Sequence, residues 1–481
     1  MAVELKVLYL AAEAAPFVKV GGLGDVAGSL PRAIKALAGA EGVEVIADIR
    51  IAIPFHSVIR SKAFSIRPIT PFALKHEGGE ILVQPYETTL EGIPVYFIGG
   101  GPIETSGSVY SSKAELDGEK YTFYSIAALE LARQIGWIPD IIHANDWHSA
   151  LAAYGNLVHF WREGDVRPAA LITVHNLPYL GPDIGEVMSS YGLPLAQTDL
   201  PNWARVKPLP LGLWSADAIV TVSPTYADEI LSPEYSAGLE DFLRTRRKSI
   251  HGILNGLDYE SYDPGSDPEI ASNYEVDSLE LRSTNKYDLM SQTGLSTNLD
   301  IPLFGMVSRM EAQKGIDLVI SGLQKLGGSM PWQAVLLGAG DPKLEQAARR
   351  LARKYPDRIY LQTTYDAVLA RKIYAAADLL LMPSRYEPCG LSQMIAMRYG
   401  CVPLVRATGG LHDTVTDGET GFVFLNARIK DFLDTLKRAL EVYQNRDAWT
   451  RIQQRGMLQD FSWKHSALEY VQLYQRLMKE R

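Results

Sequence analysis

The chain has 481 residues, a length that calls for two cores of roughly 200 residues each rather than one. Hydrophobic residues make up 47% and charged residues 21%, the balance of a globular protein, and a net charge of −9 argues against a general nucleic-acid or anionic-membrane binder. The two cysteines, Cys389 and Cys401, belong to no CxxC or Cys/His grouping, which removes a disulfide framework, argues against a zinc site and fits a reducing cytoplasm.

The first 17 residues are apolar but include Glu4, Lys6 and Glu13 and lack a basic leader, so they predict a strand, near residues 6–11, rather than a signal peptide. No run of about 18 uncharged apolar residues follows anywhere. The sequence KVGGLGDV begins at Lys19, and from Leu23 apolar residues recur at helical spacing, with Pro31 as an expected local kink. Strand, glycine turn and helix in that order form a phosphate-type pocket, although a Gly-Gly pair alone also serves merely to bend a backbone. Lys19, placed just before the pair, favours an anion there.

Residues 43–53 and 81–98 predict strands, residues 99–101 a glycine turn, and residues 121–135 a helix. Short apolar strands then end on polar residues. One ends at HANDWHSAL, with Asp146 opening a helix. Another, at 170–174, ends on His175 and Asn176. A third, at 218–222, runs into Ser223 as a helix cap with Pro224 at the first position, and a fourth, at 251–254, ends on Asn255. Lys19, Asp146, His175, Asn176 and Asn255 therefore share one rim of a predicted sheet. His143 and His148 do not share a helical face, which argues against a metal, and Trp147 reads more as packing than as a ligand contact.

Residues 258–301 are polar, with only a short helix predicted near 281–290, and read as a linker. A second β/α series begins near 302. Its strand at 303–307 leads to SRMEAQKG, its strand at 334–337 to GAGD and its strand at 359–361 to TTYD. The stretch 378–415 is the most informative. An apolar strand at 379–382 ends at Pro383, Glu387 is the carboxylate of the following loop, and Gly390 is expected to open a helix. A strand at 402–405 and the pair Gly409, Gly410 come next. In open α/β sheets ligands sit beyond the carboxyl ends of strands. After residue 424 three helices are predicted, at 430–443, 448–458 and 463–478.

The predicted fold is α/β, with two Rossmann-like doubly wound domains facing across a cleft. The domains are 1–257, a linker 258–301, and 302–460, with 461–481 as a C-terminal helix. No strand is followed by a dinucleotide-binding GxGxxG. Arg309 and Lys314 flank a strand-to-helix loop ending at Gly315 and predict a diphosphate site, against the plainer reading of a solvated charged loop. A cation 4 Å from a departing diphosphate contributes about 4 kcal/mol at an effective dielectric constant of 20, enough to assist the leaving group without a metal. Cys389, beside Pro388 and a helix start, reads as a small residue offering its backbone N–H rather than as a nucleophile.

The sequences KVGGLGDV, HANDWHSAL, TVHNLPYLG, TVSPTYADEI, ILNGLD, VSRMEAQKGID, GAGDPKLE and PSRYEPCGLSQMIAMRYGCVPLVRATGGLHDTV, in this order, resemble the glycogen/starch synthase family nearly end to end. The resemblance implies the glycosyltransferase B fold, with the last helix returning to the N-terminal domain. It implies transfer of glucose from ADP-glucose to the non-reducing end of an α-1,4-glucan, with retention and with no metal or other cofactor. It places Lys19 and Gly22 at the donor, Arg309 and Lys314 on the diphosphate, and Tyr365 on the base. The N–H groups of Cys389, Gly390, Leu391 and Ser392 cap sugar and phosphates. Asp25, Asp146, His175, Asn176 and Asn255 line the sugar and acceptor side. It makes Glu387, Lys314, Arg309 and His175 the catalytic set, with Glu387 at the anomeric face as nucleophile or as electrostatic support. Three stretches depart from the family pattern: AIPFHSVI at 52–59, Glu119-Lys120-Tyr121 in the acceptor region, and Ala339 within GAGD. The alternatives are a UDP-glucose donor or another acceptor on the same fold, and a glucan-binding protein that has lost catalysis.

Overall fold

A computed structural model describes residues 3–38, 43, 45–158, 166–195, 197–328 and 330–480. The chain forms two compact units, one of Met1–Gly256 with Trp463–Arg481 and the other of Leu257–Ser462.

The strands of the first unit are β1 (Val3–Leu10), β2 (Val45–Pro54), β3 (Arg67–Pro68), β4 (Phe72–His76), β5 (Gly79–Leu90), β6 (Ile93–Gly99), β7 (Ile141–Asn145), β8 (Ala169–Val174), β9 (Ala218–Thr221) and β10 (Ile250–Gly252). They form one ten-stranded sheet in the order β10-β9-β8-β7-β1-β2-β6-β5-β3, with β4 also on β5. The strands from β6 across to β10 are parallel, while β5 joins β6 in an antiparallel hairpin and β3 and β4 extend it. The predicted strand 81–98 is thus this hairpin, turned at Glu91 and Gly92, both at positive φ. The central strands β8 and β9 are buried, largely apolar runs along their whole length, as a sheet covered on both faces requires, whereas β2 carries the half-buried Asp48 and Arg50. The helix Gly22–Ala36 continues through Pro31, and Ser223 caps the helix Pro224–Glu229 by accepting from the Tyr226 N–H. Trp463–Lys479 is a 17-residue helix of this same unit. Its Tyr474 hydroxyl lies 2.6 Å from His143 Nδ1, and its Ser466 donates to Leu254 O.

In the second unit β11 (Leu303–Val307), β12 (Gln333–Leu337), β13 (Ile359–Gln362), β14 (Leu379–Met382), β15 (Val402–Arg406) and β16 (Phe422–Phe424) make a wholly parallel sheet ordered β13-β12-β11-β14-β15-β16. Its core joins Phe304, Val319, Leu323, Trp332, Leu379 and Leu404 to Phe432, Leu436, Ala439 and Tyr443, the apolar face of the helix Ile429–Tyr443.

Residues 258–301 are not a loose linker but part of this unit. The helix Arg282–Gln292 buries Arg282 and Lys286, two charges that a sequence reading places in solvent. Lys286 Nζ lies 2.8 Å from Asp378 Oδ2 and also donates to Leu299 O, Ile301 O and the Tyr443 hydroxyl. Arg282 donates to Tyr374 O and Ala377 O. Asp263 and Asp267 bind Arg398 and Arg371. Low apolar periodicity here marks a segment held by charge-assisted hydrogen bonds alongside the buried Leu289 and Met290.

Candidate active site

Each sheet changes direction at its first strand. In the second unit β11 lies between β12 and β14, so the loops after β11 and β14 leave neighbouring strands in opposite directions and open a crevice at their carboxyl ends. Those loops carry Arg309, Lys314 and Glu387. Lys314 Nζ is 2.8 Å from Glu387 Oε1 and 2.7 Å from Oε2, and Ser384 Oγ donates to Oε2 at 3.0 Å. The Lys314 side chain is 19% exposed and that of Glu387 7%, so the pair is largely withdrawn from water yet keeps an open side at the lysine. Glu387 thus faces Lys314, 73 residues earlier in the chain.

The frame around this pair is closely tied. Gln313 Nε2 donates to Tyr386 O, Arg385 N to Gln313 O, and Arg385 forms two 2.7 Å bonds to the carboxylate of Asp317. Arg406 reaches back to Ser384 O and Arg385 O. Two glycines permit the approach. Gly315 sits at φ +68° where a Cβ would lie 2.2 Å from Pro383 O, and at Gly410 a Cβ would lie 2.0 Å from Cys389 O. Gly410 N donates to both Glu387 O and Pro388 O at 3.1 Å, which fixes the loop from below.

The predicted convergence of two cations is not what the side chains show. Arg309 is 58% exposed and pairs with Glu311 at 2.7 Å, while Lys314 turns to Glu387. The helix after Glu387 spans Ser392–Arg398, two residues later than expected. Gly390, at φ +74°, makes the turn, Leu391 stands at the N-cap, and Cys389 is buried. Tyr365, 76% exposed after β13, presents a free ring face.

In the first unit the corresponding neighbours are β1 and β7. The turn after β1 places Lys19 Nζ 2.7 Å from Asp25 Oδ1, at 41% and 30% exposure, so this lysine already meets a carboxylate in the first turn of the following helix. The helix starts at Gly22. Beneath the turn lies Glu13, 1% exposed, whose carboxylate accepts from Val20 N, from Gly21 N at 3.2 Å and from the Tyr110 hydroxyl at 3.1 Å. Burial raises its pKa against these three bonds.

After β7, Asp146 takes φ +53° and opens the helix Asp146–Val158. Its Oδ1 accepts from His175 N at 2.7 Å and Asn176 N at 3.4 Å. Burial nevertheless pushes its carboxyl up to about 7. His175 Nε2 is 2.9 Å from Asn145 Oδ1, which also accepts from the Tyr9 hydroxyl, so the histidine donates there. Burial lowers its pKa to about 3, which keeps the imidazole neutral. Asp146, His175 and Asn176 are therefore one hydrogen-bonded cluster. The side-chain oxygens of Asn176 and Asn255 are buried and accept no hydrogen bond among the described residues, a state that suits ligand hydroxyls.

His143 belongs to the scaffold, held between the Tyr474 hydroxyl and Thr173 Oγ1 at 2.8 Å. Trp147 packs on His148 and Tyr121 at ring distances of 4.1 and 5.1 Å. Among the described residues no group of three His, Cys, Asp or Glu side chains is placed to hold a metal. The departure Glu119-Lys120-Tyr121 is structural too: Lys120 is fully buried, 2.7 Å from both Asp117 Oδ1 and Val109 O. Sequence reasoning missed Glu13 and Ser384. For Glu13 the signal was present, an acidic residue among the apolar ones between a strand and a glycine turn.

Residues 6–245 match the starch synthase catalytic domain family and residues 293–455 the group 1 glycosyl transferases. The glycogen synthase of Thermotoga petrophila is 39% identical, covering 98% of this chain and 99% of its own, and that of Desulforudis audaxviator is 36% identical over 99% and 97%. The catalytic domain of starch synthase IV from Arabidopsis thaliana, solved with ADP and acarbose, superposes with a TM-score of 0.89 at 33% identity, over 99% of both chains. The sucrose-phosphate synthase of Thermosynechococcus elongatus, 18% identical with a TM-score of 0.62 over the whole of both chains, shares the fold.

Proposed function

Because this chain belongs to the glycogen/starch synthase family of glycosyltransferases, we propose that it extends an α-1,4-glucan by transferring glucose from ADP-glucose to the non-reducing end, with retention of anomeric configuration. It is a glucan-elongating glycosyltransferase of that family, and the donor, the stereochemistry and the residue roles below are our reading. The observation that carries it is the Lys314–Glu387 pair at the carboxyl ends of β11 and β14. A glucan-binding protein without catalysis has no use for a lysine and a carboxylate largely withdrawn from water at this position.

In this reading the second unit holds the donor. Tyr365 stacks on the adenine, Arg309 and Lys314 neutralise the diphosphate, and the N–H groups of Cys389, Gly390, Leu391 and Ser392 meet the sugar and phosphate oxygens. As the glycosidic bond breaks, the leaving diphosphate gains about one unit of charge and the sugar becomes an oxocarbenium-like cation. Lys314 answers the first and Glu387 the second, and their mutual contact keeps both in place beforehand. Both Glu387 oxygens are engaged, by Lys314 and Ser384, which lowers their nucleophilicity and favours electrostatic support over covalent attack. The first unit binds sugar and acceptor hydroxyls through Asp146, His175, Asn176 and Asn255. Neutral His175 is suited to hydrogen bonding rather than to proton storage. At the glycine turn Lys19 and Gly22 are assigned to the donor and Asp25 to the sugar and acceptor side.

ADP in the Arabidopsis relative supports the adenine donor. The test is transfer of labelled glucose to glycogen from ADP-glucose and UDP-glucose in parallel. Preferential incorporation from ADP-glucose is expected; a strong UDP preference overturns the donor assignment, and none from either donor overturns catalysis.

A further inference from the structure

The helices Ile429–Tyr443 and Arg446–Met457 of the second unit, with the turn before β16, line an open surface cavity of about 230 Å³. Three guanidinium side chains line it, from Arg438, Arg451 and Arg455, over an apolar floor that includes Val442 and Ala448. Their circumstances differ. Arg438 is held in place, with two bonds of 2.8 and 2.7 Å to Asp417 and its guanidinium 5.3 Å from the centre of the Phe422 ring. Arg451 and Arg455 lie one helical turn apart on one exposed face and form no ion pair or hydrogen bond among the described residues. Arg309, Arg371, Arg385, Arg398 and Arg446 each meet a carboxylate, whereas Arg451 and Arg455 line one cavity together without a carboxylate partner among the described residues.

Like charges one turn apart on a helix repel, and the last-turn position of Arg455 offsets only part of that through the helix dipole. An anion between the two removes the repulsion and gains charge-assisted hydrogen bonds. The floor adds a preference: inorganic phosphate leaves the apolar part of the cavity uncovered, whereas an ester with a compact carbon body fills it.

We propose that this cavity is a second ligand site, which binds the phosphate group of a small phosphate monoester between Arg451 and Arg455 and its carbon body against Val442 and Ala448. The site is remote from the donor loop. Asp417 precedes β16, and because the sheet is parallel the cavity opens at the rim opposite the loops that follow β11 and β14. A link exists nevertheless. On the inner face of the same helix Gln453 donates to Gly400 O at 2.7 Å, and a Cβ at Gly456 would touch the Met397 side chain. That side chain belongs to the helix Ser392–Arg398, which begins where the donor loop ends. Occupancy therefore bears on a helix that supports the donor loop.

Titration calorimetry of the full chain with phenyl phosphate, in saturating ADP so that the donor loop is occupied, tests this. Inorganic phosphate and phenol serve as the two half-probes. One saturable event per chain is expected, tighter for phenyl phosphate than for inorganic phosphate and absent for phenol. The substitutions Arg451→Gln and Arg455→Gln together are expected to weaken it by about tenfold or more, equivalent to at least 1.4 kcal/mol, and to leave ADP affinity and thermal midpoint unchanged. Added salt weakens it as well. Absence of saturable binding, equal affinity in the double variant, or stronger binding of phenol than of phenyl phosphate overturns the site.

Discussion

Removing Lys314 separates chemistry from stability in a way that few other substitutions in this chain do. In Lys314→Ala the Glu387 carboxylate, 7% exposed, keeps Ser384 as its remaining partner in the pair's hydrogen-bond network. Breaking a buried ion pair from one side costs about 3–5 kcal/mol, and the 19% exposure of the lysine places this case near 3. For a unit of this size that lowers the thermal midpoint by about 6–12 °C. The loss of transition-state stabilisation is separate. One cation 4 Å from the departing charge contributes about 4 kcal/mol, or about three orders of magnitude in kcat/KM. Because Glu387 already neutralises part of that cation, a loss of about 10²–10³-fold is expected. Adding Glu387→Gln removes the lone buried charge, so the double variant regains most of the midpoint while staying inactive. The assays are initial rates of glucosyl transfer and thermal unfolding of both variants. If Lys314→Ala keeps kcat/KM within about tenfold of the parent, or if the double variant unfolds no later than the single one, the pair does not have the role given to it here.

Glu13→Gln gives the turn at Val20 and Gly21 one carbonyl oxygen in place of two carboxylate oxygens and adds an N–H donor; a rise of about tenfold in donor KM is expected at nearly unchanged thermal midpoint, and an unchanged KM removes Glu13 from the site. Tyr365→Ala is expected to cost about 1–3 kcal/mol of ADP affinity while Tyr365→Phe retains it, as calorimetry reads directly. Gly410→Ala places a Cβ against Cys389 O and must displace the Glu387–Cys389 loop, so both stability and ADP binding fall, by at least about 2 kcal/mol in unfolding. Asp146 titrates near 7 in the fold, above its ordinary 3.8, so its protonated form is the favoured one. That contribution is complete below about pH 4 and is lost as pH rises through 7, for a total of about 4 kcal/mol. Asp146→Asn is accordingly expected to gain stability relative to the parent between pH 5 and pH 8, and parallel unfolding curves at the two pH values would show that the carboxyl is not raised.

The parallel strands were legible because a strand buried on both faces is an uninterrupted apolar run, and Leu379–Met382 appears where the sequence predicts it. The Ser223 cap was legible because capping is local. Pairings across the sequence were not. Nothing near Lys314 in the chain points to Glu387, and the charged loop looked like two cations aimed at one anion. Residues 258–301 misled for a related reason: Lys286 and Arg282 are polar by composition yet buried by contact with Asp378 and with backbone carbonyls more than ninety residues away. Glu13 was overlooked because its value lies in a turn it holds rather than in a motif of its own. The resemblance to glucan synthases supplied the roles of single residues, and the geometry supplied their partners.

The measurement that bears most directly on the proposed reaction is the linkage and position of the transferred sugar. A defined maltooligosaccharide is extended with labelled glucose from ADP-glucose and then digested with an enzyme that releases maltose from non-reducing α-1,4 ends. Glucosyl transfer with retention predicts that the label is released as maltose in the first cycle of digestion. Label that resists digestion, or that appears as free glucose because the donor was merely hydrolysed, contradicts the account.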